Sequence, residues 1–263
     1  MYRGSRKHVL DWTARPSFPA ELEELLAPVP ASLSGRAAFM PRGCGDPQEA
    51  RLESFGPRVL GGSQAWSDLR DWWLASTAGA NTPNWDIAAG CDLKGRPGLV
   101  LVEAKANWRE LGLGGKPLHA DASARSVENH ERIGNAIEEA CRGWQELDPD
   151  VCISRDDHYQ LANRLAVAWK LATLGVPVVL VYLGFTGDTG IADAGRPFAD
   201  DTDWQAAFDT YADEVGALGL FGQRHEIGAT PIWLLSRSRP VVEISPPRRA
   251  ASVVVKPKRS NGS

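Results

Sequence analysis

Apolar and polar positions fall into two clear periodicities along the chain. Two apolar runs, Trp85 to Leu93 and Leu99 to Ala104, flank the polar stretch Lys94-Gly95-Arg96-Pro97-Gly98. Strand-like runs around glycine and proline turn chemistry predict a β-hairpin. Leu99, Val100, Leu101 and Val102 are apolar at consecutive positions, which predicts a strand buried on both faces and central in its sheet. Pro177 to Phe185, PVVLVYLGF, has the same character and predicts a second buried strand. Ile232 to Val242 predicts a further strand, and Pro240 assigns it to a sheet edge.

Helical spacing marks the segments between these strands. Trp66, Leu69, Trp73 and Leu74 form an apolar stripe behind Ser63, a cap residue. Ile133, Ile137, Cys141 and Trp144 share one face of a helix from about Val127 to Leu147. Leu161, Leu165, Ala168 and Ala172 mark the core face of a helix that Ser154-Arg155-Asp156-Asp157 opens as a capping box and Gly175 ends. Shorter helices are expected near Glu21 to Leu26, from Asp46-Pro47 to Phe55, and from Asp203 to Leu218 behind Asp201 or Thr202. Helix followed by buried strand is the α/β signature, so the expected fold is a mixed central β-sheet flanked by helices. Residues 1–62 are expected as an N-terminal arm with a short helix, and 63–244 as the main domain. Within that domain, 112–150 is expected as a helical insertion over the site, and 245–263 as a disordered basic tail.

Composition narrows the class. With 263 residues, 43% hydrophobic and 24% charged, the chain suits one globular domain with additions. Its net charge of −4 argues against a general nucleic-acid coating protein, though a local basic surface is compatible with it. Most of the ten tryptophans are expected in the core, with some free to stack on bases. Cys44, Cys91, Cys141 and Cys152 are widely spaced and form no C-x-x-C pair, which favours reduced thiols in a cytoplasmic protein. No apolar run approaches the roughly 20 residues of a membrane span, and the basic N-terminus lacks the apolar core of a signal peptide. There is no G-x-x-x-x-G-K-[ST] loop to cradle a nucleotide triphosphate.

The hairpin carries the candidate chemistry. Glu103 and Lys105 are two apart, so both leave the same face of their strand. Placing Asp86 opposite Glu103 centres the pairing between Lys94 and Gly95, inside the predicted turn, so both carboxylates stand at one end of the hairpin. Asp92 then falls opposite Pro97, several rungs away. Charges that end a doubly apolar strand are desolvated, and such charges are paired or bound to metal. Two carboxylates supply oxygen ligands for Mg²⁺ or Mn²⁺, and a lysine beside them contacts a phosphate or an attacking water. Gathered carboxylates also repel one another when no cation is present, so neutralising Glu103 is expected to spare the metal-free fold or raise its melting temperature.

Asp86, followed seventeen residues later by Glu103-x-Lys105 at the end of an apolar strand, resembles the PD-(D/E)XK nuclease superfamily of restriction endonucleases, recombination exonucleases and Holliday-junction resolvases. The proline of the family's Pro-Asp pair is displaced here: Pro83 stands three residues before Asp86. The likeness covers about residues 63–185. It implies a restriction-endonuclease-like core and a metal-dependent nuclease that hydrolyses phosphodiester bonds, with Asp86, Glu103 and Lys105 catalytic and Asp86 and Glu103 binding Mg²⁺ or Mn²⁺. It implies nucleic acid as partner, DNA before RNA, and allows a homodimer. A polar or basic residue on the following helix is expected against the substrate phosphate, from among Gln160, Asn163 and Arg164. The alternative is a non-catalytic member of the fold that serves as a nucleic-acid or protein interaction module.

Other candidates have plainer readings. His130 and His158 suit surface or capping roles as well as metal or proton chemistry, and Asp200, Asp201 and Asp203 suit helix capping. Glu53 or Asp71 is available to add a carboxylate from an upstream helix, and the sequence does not choose between them.

Overall fold

The hairpin forms in the register its pattern predicts. β3 (Ile87–Leu93) and β4 (Pro97–Lys105) pair antiparallel, with Ile87 opposite Val102 and Asp92 opposite Pro97. Continued one rung outward, that register brings Asp86 to Glu103. The computed structural model describes residues 2–33 and 38–241; the basic tail expected at 245–263 lies outside them.

Around the hairpin runs a mixed seven-stranded sheet in the order β1–β3–β4–β5–β7–β6, with β2 also on β3. β1 (Ala31–Ser32) and β2 (Phe39–Met40) are short antiparallel additions to β3. β5 (Val178–Thr186) lies parallel to β4, and β7 (Thr230–Pro240) parallel to β5. β6 (Gln223–Ile227) turns back antiparallel on β7. The pattern places β7 at an edge, and the structure corrects this. Pro240 occupies the last rung beside Thr186, where its missing N–H interrupts nothing, and the edge is β6. The sequence QRHEI of β6 is polar and half-exposed, so no apolar run announces it.

Helices cover both faces. On one side lie α3 (Leu52–Leu60), α4 (Gln64–Trp73), α5 (Ala124–Gln145), α6 (Tyr159–Thr173) and α7 (Asp201–Asp213). Their apolar faces share a core with Leu99 and Leu101 of β4 and with Val178, Leu180 and Tyr182 of β5. On the other side α1 (Gly4–Thr13) and α2 (Phe18–Leu26) pack Val9, Trp12, Phe18 and Leu22 against Val100, Val102, Val179 and Val181. The period-2 alternation of β4 therefore sends odd positions toward α6 and even positions toward α1 and α2. The N-terminal arm is thus a helical layer that completes the sheet's second face.

Four other expectations shift. The helix proposed from Asp46 begins at Leu52, because Ala50 exchanges both backbone hydrogen bonds with Trp85 (3.0 and 3.1 Å) and holds the preceding residues extended. The capping box at Ser154 closes a turn instead. Its hydroxyl accepts from the backbone N–H groups of Asp156 and Asp157, and α6 starts only after His158, which sits in the left-handed region (φ 46°). The segment expected as an insertion over the site contains α5, whose Ile133, Ile137 and Trp144 belong to the main core; α5 and α6 together form the crossover from β4 to β5. For α7 the cap is Asp200, whose Oδ1 accepts from the Asp203 N–H at 2.9 Å.

Gly184 of β5 shows how tightly the α7 layer is seated. A Cβ there would lie 2.2 Å from the buried indole of Trp204, whose Nε1 donates to Ser236 Oγ at 3.0 Å. Gly184→Ala is therefore expected to destabilise the fold by about 1–3 kcal/mol, read from urea denaturation, through overpacking. An unchanged midpoint would contradict this packing.

Candidate functional site

The odd positions of β4 run from Leu99 and Leu101, deep under the helices, to Glu103 and Lys105 at the strand's carboxyl end. Both charged side chains are only 3% exposed. Lys105 Nζ donates to Glu103 Oε1 at 2.6 Å and to Gln160 Oε1 at 2.7 Å. The other carboxylate oxygen, Glu103 Oε2, receives Arg164 Nε at 2.7 Å and Nη2 at 2.6 Å. Gln160 and Arg164 are four apart on α6, so one helix face delivers both to the strand end. Arg164 is itself buried, with its guanidinium 4.5 Å from the ring centre of Trp85 and Nη1 donating to Asn163 Oδ1 at 2.9 Å.

Asp86 completes the group from the bend just before β3. It is half-buried on the same sheet face, and its Oδ2 accepts the Ala104 N–H at 2.8 Å. Its Oδ1 makes no hydrogen bond among the described residues. Burial, reinforced by the negative charge of Glu103, pushes the Asp86 carboxyl well above the usual carboxylate range. Burial also opposes ionisation of Glu103, but Arg164 and Lys105 outweigh it and hold that group below its ordinary value. The two acids are thus tuned in opposite directions by the same cluster.

Asp86, Glu103, Lys105 and Gln160 line one cavity of about 710 Å³. Its walls also include Ser5 and Arg6 of α1, Arg109 and Glu110 after β4, and Glu49 before α3. Nothing in the sequence pointed to Glu49 or Arg6. Glu49 reaches the cavity because Ala50 pairs with Trp85, and Arg6 because the N-terminal helix packs across the sheet. A second cavity of about 1100 Å³ adjoins the first, with Gln160 and Glu49 on the wall of both, and Asn163 and Arg164 line it.

The remaining candidates separate. Arg164, expected to face a substrate phosphate, is instead committed to Glu103. Glu53 accepts from the Thr82 backbone N–H at 2.9 Å and fixes the loop before Asp86. Asp71 is exposed and pairs with Arg70 on the outer side of α4. His130 lies on the larger cavity, with Nε2 3.0 Å from the carbonyl of Lys116. His158 lines neither cavity; its Nε2 is 2.7 Å from Glu214 Oε2. Among the described residues no group of three His, Cys, Asp or Glu side chains gathers at ligating distance. In comparisons with protein-family models, curated proteins and solved structures, nothing matches this chain.

The ion-pair geometry reverses one expectation from the sequence: Glu103 is the counter-charge of two buried cations, so it cannot be neutralised without loss. Glu103→Gln and Arg164→Ala should each destabilise the fold by about 3–5 kcal/mol in chemical denaturation, the usual cost of stranding a buried charge. Stability unchanged in both would mean that the network is open to water.

Asp86 has the opposite sign. Its folded pKa lies above its unfolded value, so the folded state keeps a proton that the unfolded state has released. Metal-free stability therefore falls as pH rises from the ordinary carboxylate range to the raised value, and levels off above it. Asp86→Asn removes this dependence. The melting-temperature gap between Asp86→Asn and wild type should grow from near zero at about pH 4, through neutrality, to a plateau on the alkaline side of it. A gap that does not vary with pH would refute the assignment.

Proposed function

We propose that the chain is a metal-dependent nuclease with a restriction-endonuclease-like core, hydrolysing nucleic-acid phosphodiester bonds in the cavity at the end of β4. One observation carries this reading: two carboxylates of opposite tuning and a lysine, from the end of β4 and the bend that leads into β3, line one cavity at the carboxyl end of parallel strands. Crevices at that end of an open α/β sheet are where ligands bind.

Asp86 and Glu103 suit a hard cation, Mg²⁺ or Mn²⁺. Asp86 Oδ1 is free of hydrogen bonds among the described residues, and Glu103 Oε1, which accepts from Lys105 alone, keeps a lone pair beyond its ion pair, whereas Oε2 is filled by Arg164. Two carboxylates are enough, because Mg²⁺ typically takes one or two and fills its octahedron with water and substrate phosphate oxygens. Such a cation supplies Lewis-acid polarisation of the phosphate when bound. Lys105 Nζ, fixed between Glu103 and Gln160, orients the attacking water and stabilises the charge that develops on phosphorus oxygens. Arg164 holds the Glu103 carboxylate in place, so its effect on cleavage runs through Glu103.

A panel of linear duplex DNA, single-stranded DNA and RNA, incubated with Mg²⁺ or Mn²⁺, tests the proposal. Cleavage should require the cation and fall by about two to three orders of magnitude in Lys105→Ala and Asp86→Asn. Millimolar Mn²⁺ should raise the melting temperature of wild type by mass action and leave Asp86→Asn nearly unmoved. Affinity for Mn²⁺ should rise with pH as Asp86 loses its proton. No cleavage and no Mn²⁺ shift would sink the nuclease.

That outcome would favour the second reading, a non-catalytic interaction module. The observation behind it is the closed pairing of Glu103 with Lys105 and Arg164, which balances the carboxylate without a metal. On that reading Lys105→Ala is destabilising and indifferent to Mn²⁺.

A further inference from the structure

We infer that the larger cavity receives an unpaired nucleotide next to the phosphate being cut, which makes single-stranded or frayed nucleic acid the preferred substrate. The assignment rests on the phosphodiester reading of the neighbouring cavity. Gln160 joins the two cavities: its Oε1 accepts from Lys105 on one side, and its side-chain NH₂ makes no hydrogen bond among the described residues. Asn163 repeats the pattern one turn along. It is 5% exposed, its Oδ1 is taken by Arg164, and its NH₂ is likewise unpartnered. Both amides therefore line the wall with donors to spare, one of them on a deeply buried side chain. Nucleobase edges are rich in carbonyl and ring-nitrogen acceptors that match such donors.

The rest of the wall suits the same occupant. The half-buried ring of Tyr159 offers a stacking surface, and Leu118, 42% exposed, adds an apolar patch at the rim. Lys116 Nζ stands 5.1 Å from the Tyr159 ring centre and has no ion pair among the described residues, so it is available to a phosphate. A volume of about 1100 Å³ is slightly above the usual range of small-ligand clefts and accommodates a nucleotide with its neighbour. A duplex keeps its Watson–Crick edges paired and its base faces stacked, so none of its bases enters a concave pocket lined by amide donors without first being unpaired. An unpaired base presents its Watson–Crick edge and both faces.

Binding is measured without metal, so cleavage does not enter. Fluorescence anisotropy with a labelled single-stranded DNA decanucleotide and its blunt duplex, both in EDTA, should show the single strand bound at least about tenfold more tightly. Lys116→Gln and Tyr159→Leu should each weaken single-strand binding by about tenfold, the scale of one lost phosphate or stacking contact, and leave the duplex unchanged. Leu118→Asp, at an exposed rim position that does not support the fold, should do the same if either of those variants melts early. Duplex bound as tightly as single strand, or single-strand affinity indifferent to folded variants at all three positions, would overturn the inference. Preferential single-strand binding by a protein that cleaves nothing would support the pocket and defeat the nuclease, so the two failures are distinct.

Discussion

The pairing of Glu103 with Lys105 and Arg164 is the interaction on which the site depends. Two cations and a carboxylate are buried together at the end of a strand whose other residues are apolar. Burying any one of them alone costs several kcal/mol, and only their mutual contact offsets that cost. Lys105 and Glu103 come from β4, while Arg164 comes from α6, within the crossover to β5 and 61 residues beyond Glu103. Each therefore fixes the position of the others, and the helix is locked to the sheet where the cavity opens.

Asp86 stands apart from this balance. It shares the cluster's field but, among the described residues, receives only one hydrogen bond, so its negative charge is poorly compensated. Such a group has two means of relief, a proton or an added cation. That is the physical link between a stability feature of the metal-free protein and the chemistry proposed for it. The same imbalance explains why Asp86, rather than Glu103, is the position where neutralisation separates the proposed chemistry from folding.

The site is also less local than its motif. Its cavity wall takes Arg6 from α1, Glu49 from the extended segment before α3, and Gln160 from α6. The N-terminal helices matter here twice over. They bury the even face of β4, which keeps the strand rigid, and they close one side of the cavity.

Much of this was legible in the sequence. The hairpin, its register, the shared face of Glu103 and Lys105, and the two buried central strands followed from period-2 patterning and turn residues, which act between near neighbours. The helix stripes at Trp66, Ile133 and Leu161 followed in the same way. What the sequence did not show depends on contacts between distant segments. The polar edge strand Gln223–Ile227 forms because β7 offers an open ladder, and its own side chains give no signal. The start of α3 shifted because Ala50 found Trp85, and that of α6 because Ser154 closed a turn. Arg164 reads in sequence as a polar residue on a helix. Only the tertiary structure decided that it faces Glu103, since that requires α6 to cross the sheet with one particular rotation. Local propensity thus determined the elements and the strand carrying the candidate chemistry; packing between them decided which charges meet, and so which carboxylate is satisfied and which is left poorly compensated.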